Sequence, residues 1–146
     1  MSPEKFFDPA QKVDILTAIH EAELNTSGEI RVHIENELKG DVLDRASYIF
    51  QKLNIHKTKE RNGVLFYLAI KSKKFAILGD AGINAKVSDK FWEKIKETMS
   101  KYFKNENFTE GLSTGIILTG EQLKKHFPYM SDDENELSDE ISFGKN

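Results

Sequence analysis

The sequence predicts an α/β fold, a three-layer αβα sandwich with a small mixed central sheet of about four strands and about four helices. Residues 63–70 form the most apolar run of the chain and show no alternation, which is typical of a strand covered on both faces. A second apolar run at residues 75–78 follows a lysine-rich turn, which predicts a hairpin. Segments with apolar residues at helical spacing flank both runs, so we expect helices on both sides of the sheet.

Length and composition indicate one globular domain with a polar surface. The chain has 146 residues, of which 38% are hydrophobic and 31% charged. It contains no cysteine, which excludes disulfides and thiolate chemistry. No apolar run approaches the ~18 residues that span a bilayer, and the first residues lack a signal pattern. We therefore expect a cytoplasmic protein without a membrane partner.

The net charge of -3 is unevenly distributed. Residues 129–146 hold six acidic residues and one lysine, so residues 1–128 are close to neutral. A near-neutral body with an acidic tail gives no case for nucleic-acid binding. We predict a single domain over residues 1–128 and a disordered tail over residues 129–146. Alternatively, two apolar residues of the tail, Ile141 and Phe143, dock on a neighbour.

The first helix is predicted from Asp8 to about Leu24. Asp8 precedes Pro9, and an N-cap acceptor followed by proline is a strong helix start. Apolar residues recur at helical spacing and predict the buried face. These residues are Val13, Leu16, Ile19 and Ala22.

Residues 29–35 alternate between apolar and polar side chains, which predicts a strand with one wetter face. We expect this strand nearer the sheet edge than residues 63–70, with His33 at the surface. We expect Glu35 to be solvated, and Asp41 to cap the second helix.

A strand, a helix and a strand in this order predict a right-handed crossover between parallel strands. The second helix carries an apolar stripe as far as Leu53, and the hairpin then adds an antiparallel strand. Ser88 is the expected N-cap of a third helix. A last helix is predicted from Phe108 to about Phe127, before Pro128.

Polar residues collect at one end of the predicted sheet. Parallel strands begin at the same edge and an antiparallel partner ends there, so Glu29, Asn62 and Asp80 should converge. The following loop delivers Asp89 nearby. Carboxylate and amide oxygens suit Ca²⁺ or Mg²⁺, and these four residues are the predicted metal ligands. Arg61 is the predicted phosphate-binding residue.

Each of these residues also has a purely structural explanation. Asp89 can be a first-turn helix acid, Asp80 a turn residue and Glu29 a solvated strand start. The chain has no Walker-type loop, and its four histidines do not follow a metal-binding spacing.

Five short motifs in a fixed order give the chain a family resemblance. In order, they are Gly28-Glu29-Ile30, Asn62-Gly63-Val64-Leu65, Lys74-Phe75-Ala76-Ile77 with Gly79 and Gly82, Val87-Ser88-Asp89, and Phe108 with Gly111. Over about residues 8–127, the sequence resembles the TPM-domain family.

The resemblance implies an αβα sandwich with a sheet of about four strands. It also implies bound divalent cations and phosphatase activity, since the family includes a thylakoid-lumen acid phosphatase. This chain would be a stand-alone cytoplasmic member. It departs from the family pattern twice: Arg61 replaces the usual acid before Asn62, and Asp80 stands where an aromatic residue is common.

The sequence leaves two functions open. The first is a divalent-metal-binding domain; if it is an enzyme, it is a metal-dependent phosphatase that acts on a phosphate-containing small molecule such as a phosphate ester or nucleotide. The alternative is a non-catalytic, metal-regulated module that binds a protein partner.

Overall fold

A computed structural model describes residues 2–129 and 141–144. Its framework is a four-stranded sheet in the order β3-β2-β1-β4. The strands are β1 (Glu29–Glu35), β2 (Gly63–Ala69), β3 (Lys74–Gly79) and β4 (Ser142–Phe143).

The strand pairing confirms the predicted topology. β1 and β2 are parallel and in register from the pair Glu29 and Gly63 onwards. β2 and β3 form the predicted antiparallel hairpin, with Val64 opposite Gly79. The sheet is therefore mixed, as the sequence predicts.

Six α-helices surround the sheet in the described residues. The four longer ones confirm the predicted helices, and two single-turn helices and a 3-10 turn at Ile55–Lys57 add to them. The helices are α1 (Pro3–Phe6), α2 (Pro9–Glu23), α3 (Val42–Lys52), α4 (Ala81–Asn84), α5 (Asp89–Lys104) and α6 (Phe108–His126).

Two of the predicted helix starts are stabilised by side-chain caps. The Asp8 carboxylate accepts from the backbone N–H of Gln11 at 2.8 Å, and the Gln11 side chain accepts from the Asp8 N–H at 2.9 Å. Asp41 accepts from the N–H groups of Leu43 and Asp44. A cap of this kind contributes about 1 kcal/mol to stability.

The core forms two clusters, one on each face of the sheet. The larger one contains the inward residues of α2, α5 and α6, together with alternate residues of β2 such as Val64 and Phe66. The smaller one joins α3 and Ile55 to the other residues of β2, among them Leu65 and Tyr67. Both faces of β2 are thus covered, which is the three-layer arrangement expected from the sequence.

The position of β1 differs from the prediction. β1 is an inner strand, because β4 pairs with it in parallel at His33 and Ile34. Both His33 and Glu35 are buried, whereas the sequence predicts a surface histidine and a solvated acid.

The fourth strand comes from the segment predicted as a disordered tail. Its residues dock on the chain's own body: the N–H of Gly144 donates to the carbonyl of Ile34 at 2.8 Å, and Lys12 Nζ lies 5.5 Å from the centre of the Phe143 ring. Residues 130–140 and 145–146 lie outside the described residues, so the predicted disorder stays a prediction there.

The buried face of α2 also differs from the prediction. Ile19 and Ala22 are buried as expected, but Val13 is 59% exposed and Leu16 is 36% exposed. Ile15 and Ala18 take their place in the core.

In the part of the chain that the structure describes, no helix has the length and apolar character that a bilayer-spanning segment needs.

Substitutions in α2 test which face is buried. Ile19→Ala should lower the free energy of unfolding by about 2–5 kcal/mol, since Ile19 is fully buried and its loss leaves a cavity. Val13→Ala should change it by less than about 0.5 kcal/mol. Urea unfolding of both variants measures the difference, and equal losses would contradict the observed orientation of α2.

Candidate functional site

Three segments meet at the edge of the sheet where β1 and β2 begin and β3 ends. The N–H of Glu29 donates to the Asn62 carbonyl at 3.4 Å, and the N–H of Asp80 donates to the Gly63 carbonyl at 3.0 Å. This convergence of Glu29, Asn62 and Asp80 is the one that the sequence predicts. We call this edge the loop end of the sheet.

Arg61 and Asp80 form a two-pronged ion pair at the loop end. Arg61 Nε and Nη2 donate to the two carboxylate oxygens of Asp80, each at 2.7 Å. One of these oxygens also accepts from the N–H of Ala81 at 2.8 Å and so caps α4. Asp80 is buried whereas the Arg61 side chain is 52% exposed. The hydrogen bonds to Asp80 raise the pKa of Arg61.

The two residues of this pair are the two departures from the family pattern. If only Arg61 or only Asp80 were present, that side chain would have no oppositely charged partner at this position. Together, the arginine and the aspartate neutralise each other with favourable fork geometry.

The backbone at the loop end is held tightly around Arg61. Arg61 has a left-handed conformation, with φ of 54°. Its carbonyl accepts from the N–H of Gly82 at 2.8 Å, and a Cβ atom at Gly82 would lie 2.1 Å from the carbonyl oxygen of Glu60. Residue 82 must therefore be glycine for α4 to approach this loop so closely.

Ser27, Glu60 and Asn62 form a polar cluster beside this ion pair. Ser27 Oγ donates to Glu60 Oε2 at 2.7 Å, and Asn62 Nδ2 donates to Ser27 Oγ at 3.1 Å and lies 3.5 Å from Glu60 Oε2. A carboxylate can only accept, so the amide nitrogen of Asn62 must face Glu60.

This orientation leaves the amide oxygen of Asn62 buried. Asn62 is 1% exposed, and among the described residues its Oδ1 has no hydrogen-bond partner. An unsatisfied buried acceptor costs about 1–3 kcal/mol. A cation or hydrogen-bond donor that reached this oxygen would therefore stabilise the folded protein.

The other two predicted ligands lie in different surroundings. Glu29 is buried at the start of β1 opposite Gly63, and its N–H donates to the carbonyl of Asn62, the residue before β2. Asp89 is exposed in the first turn of α5. Across residues 2–129 and 141–144, no three Asp, Glu or His side chains are grouped so that they could hold a metal ion together. The assignment of these residues as ligands stays a prediction.

A second polar network lies at the other end of β1 and was missed by the sequence analysis. Glu35 is 1% exposed and accepts from Arg45 Nε and Nη2 at 2.9 Å each. It also accepts from the Tyr67 hydroxyl and, at 3.2 Å, from His33 Nε2. His33 Nδ1 lies 2.8 Å from Oγ of Ser142, so the network reaches β4.

These contacts decide the ionisation of Glu35. Burial by itself raises the pKa of this carboxyl group, but the hydrogen bonds from His33, Arg45 and Tyr67 outweigh burial and lower the pKa to about 2. Burial and the hydrogen bond to Glu35 raise the pKa of Tyr67. The network is therefore a buried carboxylate with three donors.

Comparison with known proteins identifies the family of this chain. A model of the TPM domain matches residues 1–122. The chain belongs to the TPM domain family. The comparison with curated proteins found no match.

Solved structures share this fold. The chain is similar to the BA42 protein from the psychrophilic bacterium Bizionia argentinensis, with 46% identity over 97% of each chain and a TM-score of 0.89. It shares its fold with the N-terminal domain of cg2496 from Corynebacterium glutamicum, at 13% identity, TM-score 0.63 and coverage of 96% of this chain and 81% of that one. The N-terminal domain of a P. gingivalis protein has 18% identity and a TM-score of 0.69, over 85% and 82% of the chains.

The buried network of this TPM domain left two signals in the sequence. Tyr67 is the single side chain of β2 with a polar atom, and a buried tyrosine hydroxyl usually has a partner. Arg45 directly precedes the buried Ala46 in α3, so it lies beside the helix face that packs on the sheet. Together they indicate an acid on the facing side of β1.

The pKa of Glu35 predicts how this TPM domain responds to acid. Its folded pKa of about 2 lies below its ordinary value of 4.5, so the stabilisation is complete above about pH 4.5 and is lost as the pH falls towards 2. The loss should be about 3 kcal/mol. Urea unfolding between pH 7 and pH 2 measures it.

Two variants isolate the contribution of Glu35. In Glu35→Gln the acid-dependent loss should shrink by about 3 kcal/mol. Glu37→Gln is the matched control, because Glu37 is exposed two residues further on. An unchanged pH dependence in Glu35→Gln would contradict the lowered pKa.

Proposed function

We propose that this TPM domain binds a divalent cation, Ca²⁺ or Mg²⁺, at the loop end of its sheet. The observation that carries the proposal is the buried Asn62 Oδ1, an acceptor that has no donor among the described residues. Ser27 and Glu60 contact the amide nitrogen of Asn62, and they would add a hydroxyl and a carboxylate once the amide turned its oxygen towards them. These are hard oxygen donors, and such ligands suit Ca²⁺ and Mg²⁺ better than they suit zinc or copper.

The predicted ligands do not fit this site equally well. Asn62 fits directly, and Glu29 begins the strand beside it. Asp80 has both oxygens engaged by Arg61 and Ala81, so its role in the proposal is to hold the loop, and it would ligate a cation only after Arg61 releases it. Asp89 would reach the site only if the start of α5 moved towards it.

The ligand set also indicates the strength of binding. Glu29 and Glu60 supply at most two carboxylates. In the described residues no three acidic side chains lie close enough together to hold one metal ion. Affinity for Ca²⁺ falls as the ligands carry less charge, and weak sites bind at about 10⁻⁴–10⁻³ M. We therefore expect a site that fills at millimolar cation.

A metal titration followed by amide NMR tests the site. With CaCl₂ or MgCl₂ raised to about 10 mM, the amides of residues 27–29 and 60–63 should shift, because they surround the proposed ligands. Glu60→Gln should weaken binding at least about tenfold, as one of two charges is lost. KCl at equal ionic strength separates binding from screening.

Asp89→Asn is the matched control for Glu60→Gln. It removes one carboxylate from an exposed helix start and should leave the metal affinity unchanged. A loss of affinity in Asp89→Asn would assign the cation to the ligand set predicted from the sequence. Unchanged spectra of the wild-type protein at both metals would contradict the proposal.

Hydrolysis of a phosphate ester is the activity that we propose if the metal site is catalytic. A bound divalent cation would supply Lewis-acid polarisation of a phosphoryl oxygen. Arg61 would hold the phosphate, since its guanidinium group is half-exposed and keeps its charge. Asp80 already neutralises this charge, so a phosphate must compete with Asp80 for the same donors.

This competition makes the activity testable with three proteins and a phosphate monoester such as p-nitrophenyl phosphate. Turnover by the wild type should depend on added Mg²⁺, and Arg61→Lys should lower kcat/KM at least about tenfold because lysine lacks the fork geometry. Asp80→Asn should alter KM by freeing Arg61. Equal turnover by wild type and Asp80→Asn would exclude a role for Asp80. No turnover by the wild type would reject the phosphatase activity and leave the metal site standing.

A second candidate function is a protein-interaction module. The observation in its favour is the apolar surface that α2 exposes, where Val13 is 59% and Leu16 is 36% exposed, with Leu24 just beyond the helix. Val13→Gln with Leu16→Gln would remove this surface without disturbing the core, and loss of a partner in that variant alone would support the module.

A further inference from the structure

A cavity of about 410 Å³ lies at the opposite end of the hairpin from the proposed metal site. It is formed where β2 ends, β3 begins, and α5 passes into α6. Its volume is within the range of about 300–1,000 Å³ that small-molecule sites occupy. The residues that line it are Leu68, Lys73, Lys74, Phe75, Ser100, Phe103, Lys104, Glu106 and Phe108.

The inner wall of the cavity is aromatic and apolar. The rings of Phe75 and Phe103 meet edge to face with centroids 4.9 Å apart, and the ring of Phe108 lies 5.4 Å from that of Phe103. Leu68 is buried next to them. Three mutually supported rings form a fixed surface on which an apolar chain or ring can pack.

The rim of the cavity is positively charged. Lys73, Lys74 and Lys104 are exposed there, and Glu106 is the one acid of the lining. None of the three lysines takes part in an ion pair with another described residue. The rim therefore carries an excess of two positive charges beside an apolar wall.

We propose that this cavity binds a small amphipathic anion, a carboxylate with an apolar chain or ring. The apolar part packs on Phe75, Phe103 and Phe108, and the carboxylate lies among the lysines of the rim. The volume fits one small molecule, whereas the standard interface of a folded protein partner buries about 800 Å² on each side. A nucleobase is a poorer fit, because the lining supplies few fixed polar groups to recognise it.

The two parts of the site contribute differently to affinity. Each exposed lysine adds only modest attraction in water, but the three at the rim together favour an anion over a neutral ligand with the same chain. Each buried methylene should raise affinity about fourfold. Binding should therefore grow with chain length and still require the negative charge.

Titration of isotope-labelled full-length protein with alkyl carboxylates tests the proposal. Octanoate should shift the amides of residues 73–75 and 103–108, and with two more methylenes it should bind about fifteenfold more tightly than hexanoate. Octanol, which has the same chain without the charge, should bind at least about tenfold more weakly than octanoate. These residues are remote in sequence from the proposed metal ligands, so the two proposals can fail separately.

Substitutions assign the binding to the two parts of the cavity. Lys74→Gln with Lys104→Gln should reduce octanoate affinity about tenfold, and Lys94→Gln, at an exposed position of α5 outside the cavity, should leave it unchanged. Ser100→Leu should fill the cavity and reduce affinity, and the same spectra report whether that variant is folded.

Three results would overturn the proposal. The first is that octanoate, below its micelle concentration, does not shift the amides of residues 73–75 and 103–108. The second is that octanol binds as tightly as octanoate. The third is that Lys94→Gln weakens binding as much as the double variant does. Shifts of these residues with protein concentration alone would instead assign the cavity to contact with a second copy of the chain.

Discussion

Burial of β2 on both faces is the constraint from which the rest of the architecture follows. All seven residues of this strand are buried, and alternate side chains enter two separate clusters. A strand of this kind needs a helical layer on each side and a neighbour along each edge. α2, α5 and α6 supply one layer and α3 the other, while β1 and β3 satisfy its backbone. Apart from Tyr67, the strand has no polar side chain, so the other polar groups lie beyond its two ends.

Tyr67 shows the cost of placing a polar atom within such a strand. Its hydroxyl lies in the smaller cluster, where solvent cannot reach it. Glu35 accepts a hydrogen bond from this hydroxyl, and the buried carboxylate is in turn balanced by Arg45 from α3. Removing one member of such a set leaves an uncompensated polar group or charge, which costs more than an intact set contributes. The one polar side chain of β2 is thus matched by charged groups from β1 and α3.

The sequence predicts β2, the hairpin and the four long helices because each has a local pattern with a single explanation. The prediction is wrong where the same sequence pattern fits two different structural environments. In β1, a polar side chain at every second position indicates solvent, and only the fold reveals that Arg45 and Tyr67 replace water around Glu35. In α2, apolar residues occupy more than one face, so helical spacing alone could not separate Ile15 from Leu16.

The other features that the sequence does not predict, β4 and the polar cluster at the loop end, have the same physical origin. β4 has two residues, too few for a periodic signal, and it is held by β1 and by Lys12 rather than by its own propensity. At the loop end, strand order is enough to bring Glu29, Asn62 and Asp80 together. Local sequence does not reveal that Glu60 and Ser27 meet at the Asn62 amide, since Ser27 and Glu60 are brought together by the fold.

The pairing of Arg61 with Asp80 bears on how function could vary within this fold. An acid in place of Arg61, which the family resemblance leads us to expect, would add a carboxylate at the loop end and remove the guanidinium group that pairs with Asp80. In this chain the arginine takes up both oxygens of Asp80 while Glu60 and Asn62 keep their own contact. A site with fewer available carboxylates binds divalent cations more weakly. In this chain the loop is therefore fixed by its own ion pair, and the divalent cation that we propose there would have fewer carboxylates available.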